Sequence, residues 1–322
     1  MITVLCGGVG GVKLVDGLAS VLRDPAGLTV VVNTADDFEH LGLAISPDID
    51  TVLYTLAGLV SEERGWGLEG ETWAAMEMFG RYGLPTWFRL GDRDLGTHIA
   101  RTEWLRRGRR PTDVTAALAS ALAVAPRVLP MTDGRVRTFV HTPGGRLSFQ
   151  EYFVERGARD PVHRIELQGI DEATPSPEVL EAVRASAMIV VAPSNPLVSV
   201  GPILALRGMA AALAGSRALR IAVTPLIGGA AVKGPTVEML RGTGMRADSA
   251  AIAALYAAFL DVFILDARDQ TAADTVRAAG ARGRPLDVEC ADTLMADHAG
   301  RCRLAREILR IAAARGAEVA VT

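Results

Sequence analysis

The chain has 322 residues, of which 49% are hydrophobic and 22% are charged, a composition typical of a globular protein. Its formal net charge of -3 argues against a general nucleic-acid-binding protein, and no apolar run reaches the roughly 18 residues that a bilayer span needs. The three cysteines lack metal-ligand spacing, and the first residues lack the basic region of a signal peptide. We therefore expect a cytoplasmic protein without a membrane or nucleic-acid partner.

The start of the chain predicts a β-α-β unit. Residues 2–6 and 28–32 are short apolar runs without polar alternation, as in parallel strands that are buried on both faces. Apolar residues at helical spacing lie between them, after the glycine-rich segment GGVGG at 7–11. Glycines at this position let backbone N–H groups approach a phosphate, and the helix dipole favours negative charge there.

The glycine-rich segment does not match a known nucleotide fingerprint. Counting from Gly8, the dinucleotide pattern G-x-G-x-x-G requires glycine at position 13, where this chain has Lys13. The residues around Lys13 also lack the Gly-Lys-Ser/Thr of a P-loop. A tight turn without a ligand is the alternative, but four glycines exceed what a turn needs. The segment therefore predicts phosphate binding without identifying the nucleotide.

Four aspartates follow the second predicted strand. Asp36 and Asp37 come directly after it, where they could hold a ribose hydroxyl or a metal-bound water, or form an Asx turn. Asp48 and Asp50 lie in the first turn of a helix that begins at Pro47. Helix capping explains Asp48 but does not require Asp50. Two carboxylates two residues apart, near a phosphate loop, predict Mg²⁺ ligands.

The middle of the chain has helical periodicity and no buried strand. We therefore predict a helical insertion at 53–125 within a nucleotide-binding core formed by 1–52 and 126–322. The most polar stretch, 87–101, holds three arginines, two aspartates and His98. Ion pairing within the stretch is one interpretation, and clamping a phosphate or stacking on a flat ring is another. His98 fits either a proton shuttle or a structural hydrogen bond.

The rest of the chain alternates strands with helices. Residues 136–143 and 147–154 predict an antiparallel hairpin at a sheet edge. Buried strands are predicted at 188–191, 220–223 and 262–265, and helices at 177–185, 202–214, 248–260 and 302–315. This order predicts an α/β fold with a doubly wound, mostly parallel Rossmann-like sheet. Ligands gather beyond the carboxyl ends of such strands, where the chain has Ser194, Asn195, the loop 224–229 and the cation Lys233.

A series of motifs in order resembles the 2-phospho-L-lactate transferase (CofD-like) family over nearly the whole chain, through about Met295. The motifs are GGVGG (7–11), NTADD (33–37), SPDIDTVLYTL (46–56), RGWG (64–67), LGDRDLGTHIART (90–102), LPMTD (129–133), FQEYFV (149–154), APSNPLVSVGPI (192–203), TPLIGG (224–229), LDVFILDARD (260–269) and ADTLM (291–295). The ordered set is far more specific than any one motif.

The resemblance implies a transferase of coenzyme F-420 biosynthesis that requires Mg²⁺ and forms a homodimer. It would move a phospho-acid from a diphosphoguanosine donor to the ribityl hydroxyl of 7,8-didemethyl-8-hydroxy-5-deazariboflavin, releasing GMP. Asp50 would be catalytic, and Asp48 and Asp50 would bind the metal. The acceptor would contact Asp50, Trp87, Arg89, Asp92 and His98. The nucleotide would contact Gly8, Gly10, Gly11, Lys13, Asp36, Ser194, Asn195, Thr224, Gly228 and Gly229.

Two other functions are compatible with the start of the chain. A regulatory protein of the gluconeogenesis-factor type shares the glycine-rich start and binds nucleotide sugars, but its two acids are typically followed by a Gly/Ser-rich run, which this chain lacks. A nicotinamide-dependent oxidoreductase is disfavoured by Lys13. The transferred acid stays open between phospholactate, phosphoenolpyruvate and 3-phosphoglycerate.

Overall fold

The computed structural model describes residues 1–232, 234–280 and 286–317. Its strands are β1 (Ile2–Cys6), β2 (Leu28–Val32), β3 (Phe38–His40), β4 (Leu43–Ile45), β5 (Arg127–Pro130), β6 (Arg137–Thr142), β7 (Gly145–Ser148), β8 (Arg164–Gln168), β9 (Met188–Val191), β10 (Leu219–Val223), β11 (Leu226–Ile227), β12 (Ala230–Ala231), β13 (Val262–Asp266) and β14 (Asp287–Ala291). Its α-helices are α1 (Gly8–Val21), α2 (Pro47–Leu56), α3 (Ala74–Arg81), α4 (Asp94–Arg106), α5 (Pro111–Ala121), α6 (Pro177–Ala185), α7 (Val200–Ala205), α8 (Met209–Gly215), α9 (Thr236–Gly242), α10 (Ser249–Tyr256), α11 (Ala273–Arg277) and α12 (His298–Ala313).

The main sheet has seven described strands in the order β14-β13-β10-β9-β1-β2-β5, and every neighbouring pair is parallel. Val4 pairs with Val30 on one side and with Val190 on the other. The chain reverses its winding direction between β1 and β9, so the loops at their carboxyl ends diverge and leave a crevice. The predicted α/β class is confirmed.

Helices cover both faces of the sheet because the buried strands are apolar on both sides. One core contains Val4 and Val30 with side chains from α1, α2, α5 and α12. The other contains Leu5 and Val31 with side chains from α6, α7, α8 and α10. Adjacent residues of a strand therefore face opposite cores, as the two-residue period of a strand requires.

The segment 53–125 holds the end of α2 and the helices α3, α4 and α5. Val52 and Leu53 of α2, and Val114 and Leu118 of α5, belong to the same core as β1 and β2. The segment thus shares apolar packing with the sheet, and its boundary as a separate insertion stays a prediction. No described helix is both long and apolar enough to cross a membrane.

Some predicted elements differ from the observed ones. The hairpin is not at the edge of the main sheet: β6 and β7 join β8 in a separate antiparallel sheet. Residues 151–155, predicted as strand, form a π-helical turn instead. The predicted helix 202–214 is interrupted at Gly208, whose φ of 93° is outside the helical range, so two helices result.

Candidate functional site

A cleft of about 470 Å³ opens at the carboxyl ends of β1, β2, β9 and β10. It brings together most of the residues that the sequence singled out, from five separate parts of the chain. Those lining it are Gly8, Gly10, Lys13, Asp36, Asp48, Asp50, Trp87, Arg89, His98, Ser194, Asn195 and Thr224. The predicted residues outside its lining are Gly11, Asp92, Gly228 and Gly229. Lys233 lies outside the described residues.

The glycine-rich segment packs against two loops. A Cβ atom on Gly7 would lie 2.7 Å from an Asp48 oxygen, and one on Gly10 would lie 2.7 Å from the Pro193 carbonyl oxygen. A Cβ on Gly11 would come 2.3 Å from the Ser194 hydroxyl, and Gly8 has a φ of +64°. Close packing and backbone conformation therefore require all four glycines, whether or not a phosphate binds. The excess of glycine is by itself weaker evidence for a phosphate than the sequence suggested.

Asp48 caps the first turn of α1. Its Oδ1 accepts a hydrogen bond of 2.9 Å from the Gly8 N–H, and its Oδ2 accepts one of 3.1 Å from Asn33 Nδ2. The same Asn33 amide donates to Asp36 Oδ2 at 3.0 Å. Burial raises the pKa of both carboxyls, and the charge of Asp48 raises the pKa of Asp36 further. The two buried acids thus resist being ionised together.

A buried ionic network surrounds Asp50. The Arg101 guanidinium donates to both Asp50 oxygens, through Nη1 at 3.0 Å and through Nη2. Arg101 Nη1 also lies 3.3 Å from His98 Nδ1, and His98 Nε2 lies 3.2 Å from Asp94 Oδ2. His98 Nδ1 also lies 3.7 Å from Asp50 Oδ2, and the buried Nε2 has no hydrogen-bond partner among the described residues. Tyr54 completes the network by donating to Asp94 Oδ1 at 2.6 Å.

Asp50, Asp94 and His98 could hold a metal ion, since one ligand atom of each lies within 4.8 Å of the others. The two carboxylates suit the oxygen preference of Mg²⁺. His98 can add a nitrogen ligand, because its buried Nε2 has no hydrogen-bond partner among the described residues. The wider cluster contains five acids, Asp36, Asp37, Asp48, Asp50 and Asp94. Among the described residues, Arg101 and Arg137 are the arginines that act on them, and His98 also acts on Asp94. A bound divalent cation would favour the ionised form of these carboxylates.

Aromatic side chains line the other part of the cleft. Trp87 and Phe88 pack with Phe38 and His40, with ring centroids 4.8–6.0 Å apart. The Arg89 guanidinium lies 3.9 Å from the centre of the Trp73 ring.

Phe149 and Phe153 also line the cleft. Phe149 precedes the π-helical turn and Phe153 lies within it, and their rings stack with centroids 5.5 Å apart. Flat faces of this kind suit a planar ring system.

The loops that follow β9 and β10 use their polar groups internally. Asn195 Oδ1 accepts from the Leu197 and Val198 N–H groups, and Thr224 Oγ1 lies 2.9 Å from Ser249 Oγ. Asn195 therefore holds the shape of its loop, and its Oδ1 is already used. Lys13 lines the cleft and donates to the Met295 carbonyl at 3.0 Å, which holds a cation at the wall of the cleft.

Asp92 has a structural position. Its carboxylate accepts from the Ala74 and Ala75 N–H groups at 2.9 Å and from the Thr72 hydroxyl, at the start of α3. Asp94 and Arg101 were not among the site residues predicted from the sequence. The signal was present, because Asp94, His98 and Arg101 follow a helical period of three and four residues on one face of α4.

Three comparisons relate the chain to known proteins. Residues 2–300 match the family described as "2-phospho-L-lactate transferase CofD". A "Phosphoenolpyruvate transferase" of Streptomyces griseus is 40% identical over 317 residues, covering 97% of this chain and 98% of the relative. A "2-phospho-L-lactate transferase" of Methanosarcina mazei is 39% identical over 267 residues, 83% of this chain and 87% of the relative.

The fold has a counterpart among solved structures. A crystal structure of a UPF0052-family protein from Bacillus halodurans aligns with a TM-score of 0.61 and 18% sequence identity, covering 96% of this chain and 98% of that one. At this identity the likeness concerns the fold alone. The family match over residues 2–300, together with relatives near 40% identity, shows that the chain belongs to the CofD family of 2-phospho-L-lactate and phosphoenolpyruvate transferases of coenzyme F-420 biosynthesis.

Proposed function

We propose that the protein moves a phospho-acid, of the 2-phospho-L-lactate or phosphoenolpyruvate class, from a diphosphoguanosine donor to the ribityl hydroxyl of a deazaflavin. The hydroxyl oxygen forms a bond to the phosphorus that carries the organic acid. The bond from this phosphorus to the GMP phosphate breaks, GMP leaves, and the hydroxyl proton is released. The observation that carries this proposal is one cleft that joins a phosphate-type loop, a buried acid cluster and an aromatic wall.

The donor would lie over the glycine-rich segment. The start of α1 offers N–H groups beyond Gly8, whose own N–H donates to Asp48, and Lys13 adds a positive charge next to them. Ser194 and Thr224, at the ends of two neighbouring strands, bound the same part of the cleft and would contact the nucleoside.

The acceptor would lie on the aromatic side. Its planar ring system suits the faces of Trp87 and the stacked pair Phe149 and Phe153, and Arg89 is an exposed cation beside them. Much of this wall comes from the segment 53–125, which we propose as the part of the chain that contributes to the acceptor site.

Asp50 would orient the attacking hydroxyl. Its carboxylate lines the cleft, and the bidentate pair with Arg101 holds it in one orientation. Phosphoryl transfer depends mainly on positioning and charge neutralisation, so a rigid acceptor of the hydroxyl proton suits this reaction. His98 and Tyr54 would keep Asp94 and Arg101 in place.

Mg²⁺ is the cation that we propose for this cluster, with Asp50 and Asp94 as the described carboxylates that fit it best. The sequence-based assignment of Asp48 as a ligand stays a prediction, because Asp48 is engaged by Gly8 and Asn33. When bound, the cation would neutralise negative charge on the diphosphate.

Asp50→Asn tests the role of Asp50. This variant keeps the shape next to Arg101 but removes the charge, so transfer to the deazaflavin should fall on the order of a hundredfold or more. Asp261→Asn is the control, since it weakens a comparable pair with Arg220 away from the cleft. Mass spectrometry of the phospho-acid adduct gives the readout. Equal turnover of the Asp50→Asn variant and the control would exclude the role.

The donor acid is tested by offering each guanosine diphosphate conjugate in turn to the wild-type protein with the deazaflavin. An adduct with none of the phospholactate, phosphoenolpyruvate and phosphoglycerate donors would contradict the transfer reaction.

The homodimer and the cytoplasmic location also stay predictions, and light scattering after gel filtration tests the homodimer. The family match favours the transferase over both the nucleotide-sugar-binding regulator and the nicotinamide-dependent oxidoreductase.

A further inference from the structure

A second cavity, of about 240 Å³, lies on the far side of the Arg101–Asp50 pair. Its walls are the β3–β4 hairpin, the start of α5 and residues from the loop between β5 and β6. Ile45, Ile49 and Val114 give it an apolar floor. Its volume is below the roughly 300 Å³ at which cavities for drug-sized ligands begin, so it suits a small molecule and not a nucleotide.

Positive charge in this cavity is not fully compensated. Arg135 and Arg137 line it, and neither forms an ion pair with a carboxylate of the described chain. Burial lowers the pKa of Arg137, and the like charge of Arg135 lowers it further, against the opposing effect of Asp37 and Asp36. A half-buried guanidinium in this situation gains from an anion.

The acidic side chains that line the cavity do not neutralise Arg135 and Arg137. Asp133 is engaged by the N–H and hydroxyl of Thr112, both at 2.8 Å, and Glu39 is exposed to solvent. Asp37 Oδ2 accepts from the Ser46 hydroxyl at 2.7 Å, and burial raises the pKa of Asp37 to about 7, so it is only partly ionised at neutral pH. The third cation of the lining, Arg101, already pairs with Asp50.

We propose that this second cavity binds a small, multiply charged oxyanion, a dicarboxylate or a phosphate, through Arg135 and Arg137. The site is separate from the transferase cleft but shares a wall with it. Arg101 lines the second cavity while its guanidinium holds Asp50, and Ser46, which bonds to Asp37, immediately precedes the helix that carries Asp50. An anion in the cavity would therefore lie beside Arg101 and beside the start of the helix that carries Asp50.

Isothermal calorimetry with malonate and with inorganic phosphate tests the proposal without any turnover. The wild-type protein should bind at least one of them saturably, and Arg135→Gln/Arg137→Gln should weaken that binding on the order of tenfold or more. The single variant Arg135→Gln, at an exposed position, should give a smaller loss and guards against misfolding of the double variant. Binding of malonate alone identifies a carboxylate site, and binding of phosphate alone identifies a phosphate site.

A matched control removes Lys13 and Arg89, the lysine and arginine that line the cleft within the described part of the chain. Lys13→Gln/Arg89→Gln should leave the binding of the small anion unchanged, since both residues line the other cavity. The proposal fails if neither anion binds the wild-type protein. It also fails if the cleft variant, and not the Arg135/Arg137 variant, loses the binding. Because no donor or acceptor is present, either failure leaves the proposed transfer reaction untouched.

Discussion

The buried carboxyl of Asp37 should make the folding stability of this protein depend on pH. Burial raises the pKa of Asp37 to about 7, while a carboxyl in the unfolded chain titrates near 4. Between these pH values the folded state keeps a proton that the unfolded state has lost, so Asp37 makes folding less favourable as the pH rises through this window. At pH 8 the full free-energy cost of ionising Asp37 in the folded state is present, and at pH 4 almost none of this cost is present.

Asp37→Asn should therefore gain stability relative to the wild type as the pH rises. Urea unfolding at pH 5 and pH 8 measures the difference in unfolding free energy, which should grow in favour of the variant by a few kcal/mol. The Ser46 hydroxyl can still donate to the amide oxygen, so the local structure is kept. The same difference at both pH values would show that Asp37 is not held protonated by its surroundings.

At the scale of elements, the contact between α1 and the loop after β9 depends on the absence of side chains. Gly10→Ala should cost about 1–3 kcal/mol of unfolding free energy, because the new Cβ would meet the rigid Pro193 carbonyl at 2.7 Å. Gly96→Ala is the matched control within α4, where nothing lies within 4 Å of the new Cβ. It should stabilise by about 0.5–1 kcal/mol through helix propensity. Thermal unfolding of both variants should show shifts of opposite sign.

Elements buried on both sides were predictable from the sequence, and elements with mixed exposure were not. β1, β2, β9, β10 and β13 are mostly apolar, and each was predicted within one or two residues of its bounds. The strand β14 has Asp287 and Glu289 among its five residues and packs at the sheet edge, so its pattern gives no clear period.

In the candidate site, too, some residues were predictable from the sequence and others were not. Side chains at strand ends were predictable because parallel strands deliver their loops to one edge. The Arg101–Asp50 pair joins residues 51 positions apart, and nothing in either local pattern reports such a contact. The Asp92 carboxylate caps α3 across a gap of about 17 residues for the same reason.

At the scale of the whole molecule, both substrates should stabilise a single folded unit, because the cleft joins loops from both halves of the main sheet. GDP at about 100 times its dissociation constant adds roughly 2.7 kcal/mol, which for a chain of this size raises the melting temperature by roughly 5 °C. A uridine-diphosphate sugar at the same concentration should give little or no shift. A larger shift with the uridine compound than with GDP would favour the regulatory function over the transferase.

The cap that Asp48 places on α1 also affects which anions the cleft admits. A phosphate that approaches the Gly8 N–H meets a carboxylate already bonded to that group. Bare orthophosphate and pyrophosphate, both abundant metabolites, would face repulsion there with no other binding energy to offset it. The proposed donor differs from these anions in two ways. A cation would screen its charge, and its base and organic acid would bind elsewhere in the cleft and offset the repulsion from Asp48. We therefore expect free orthophosphate to be only a weak inhibitor of the transfer reaction.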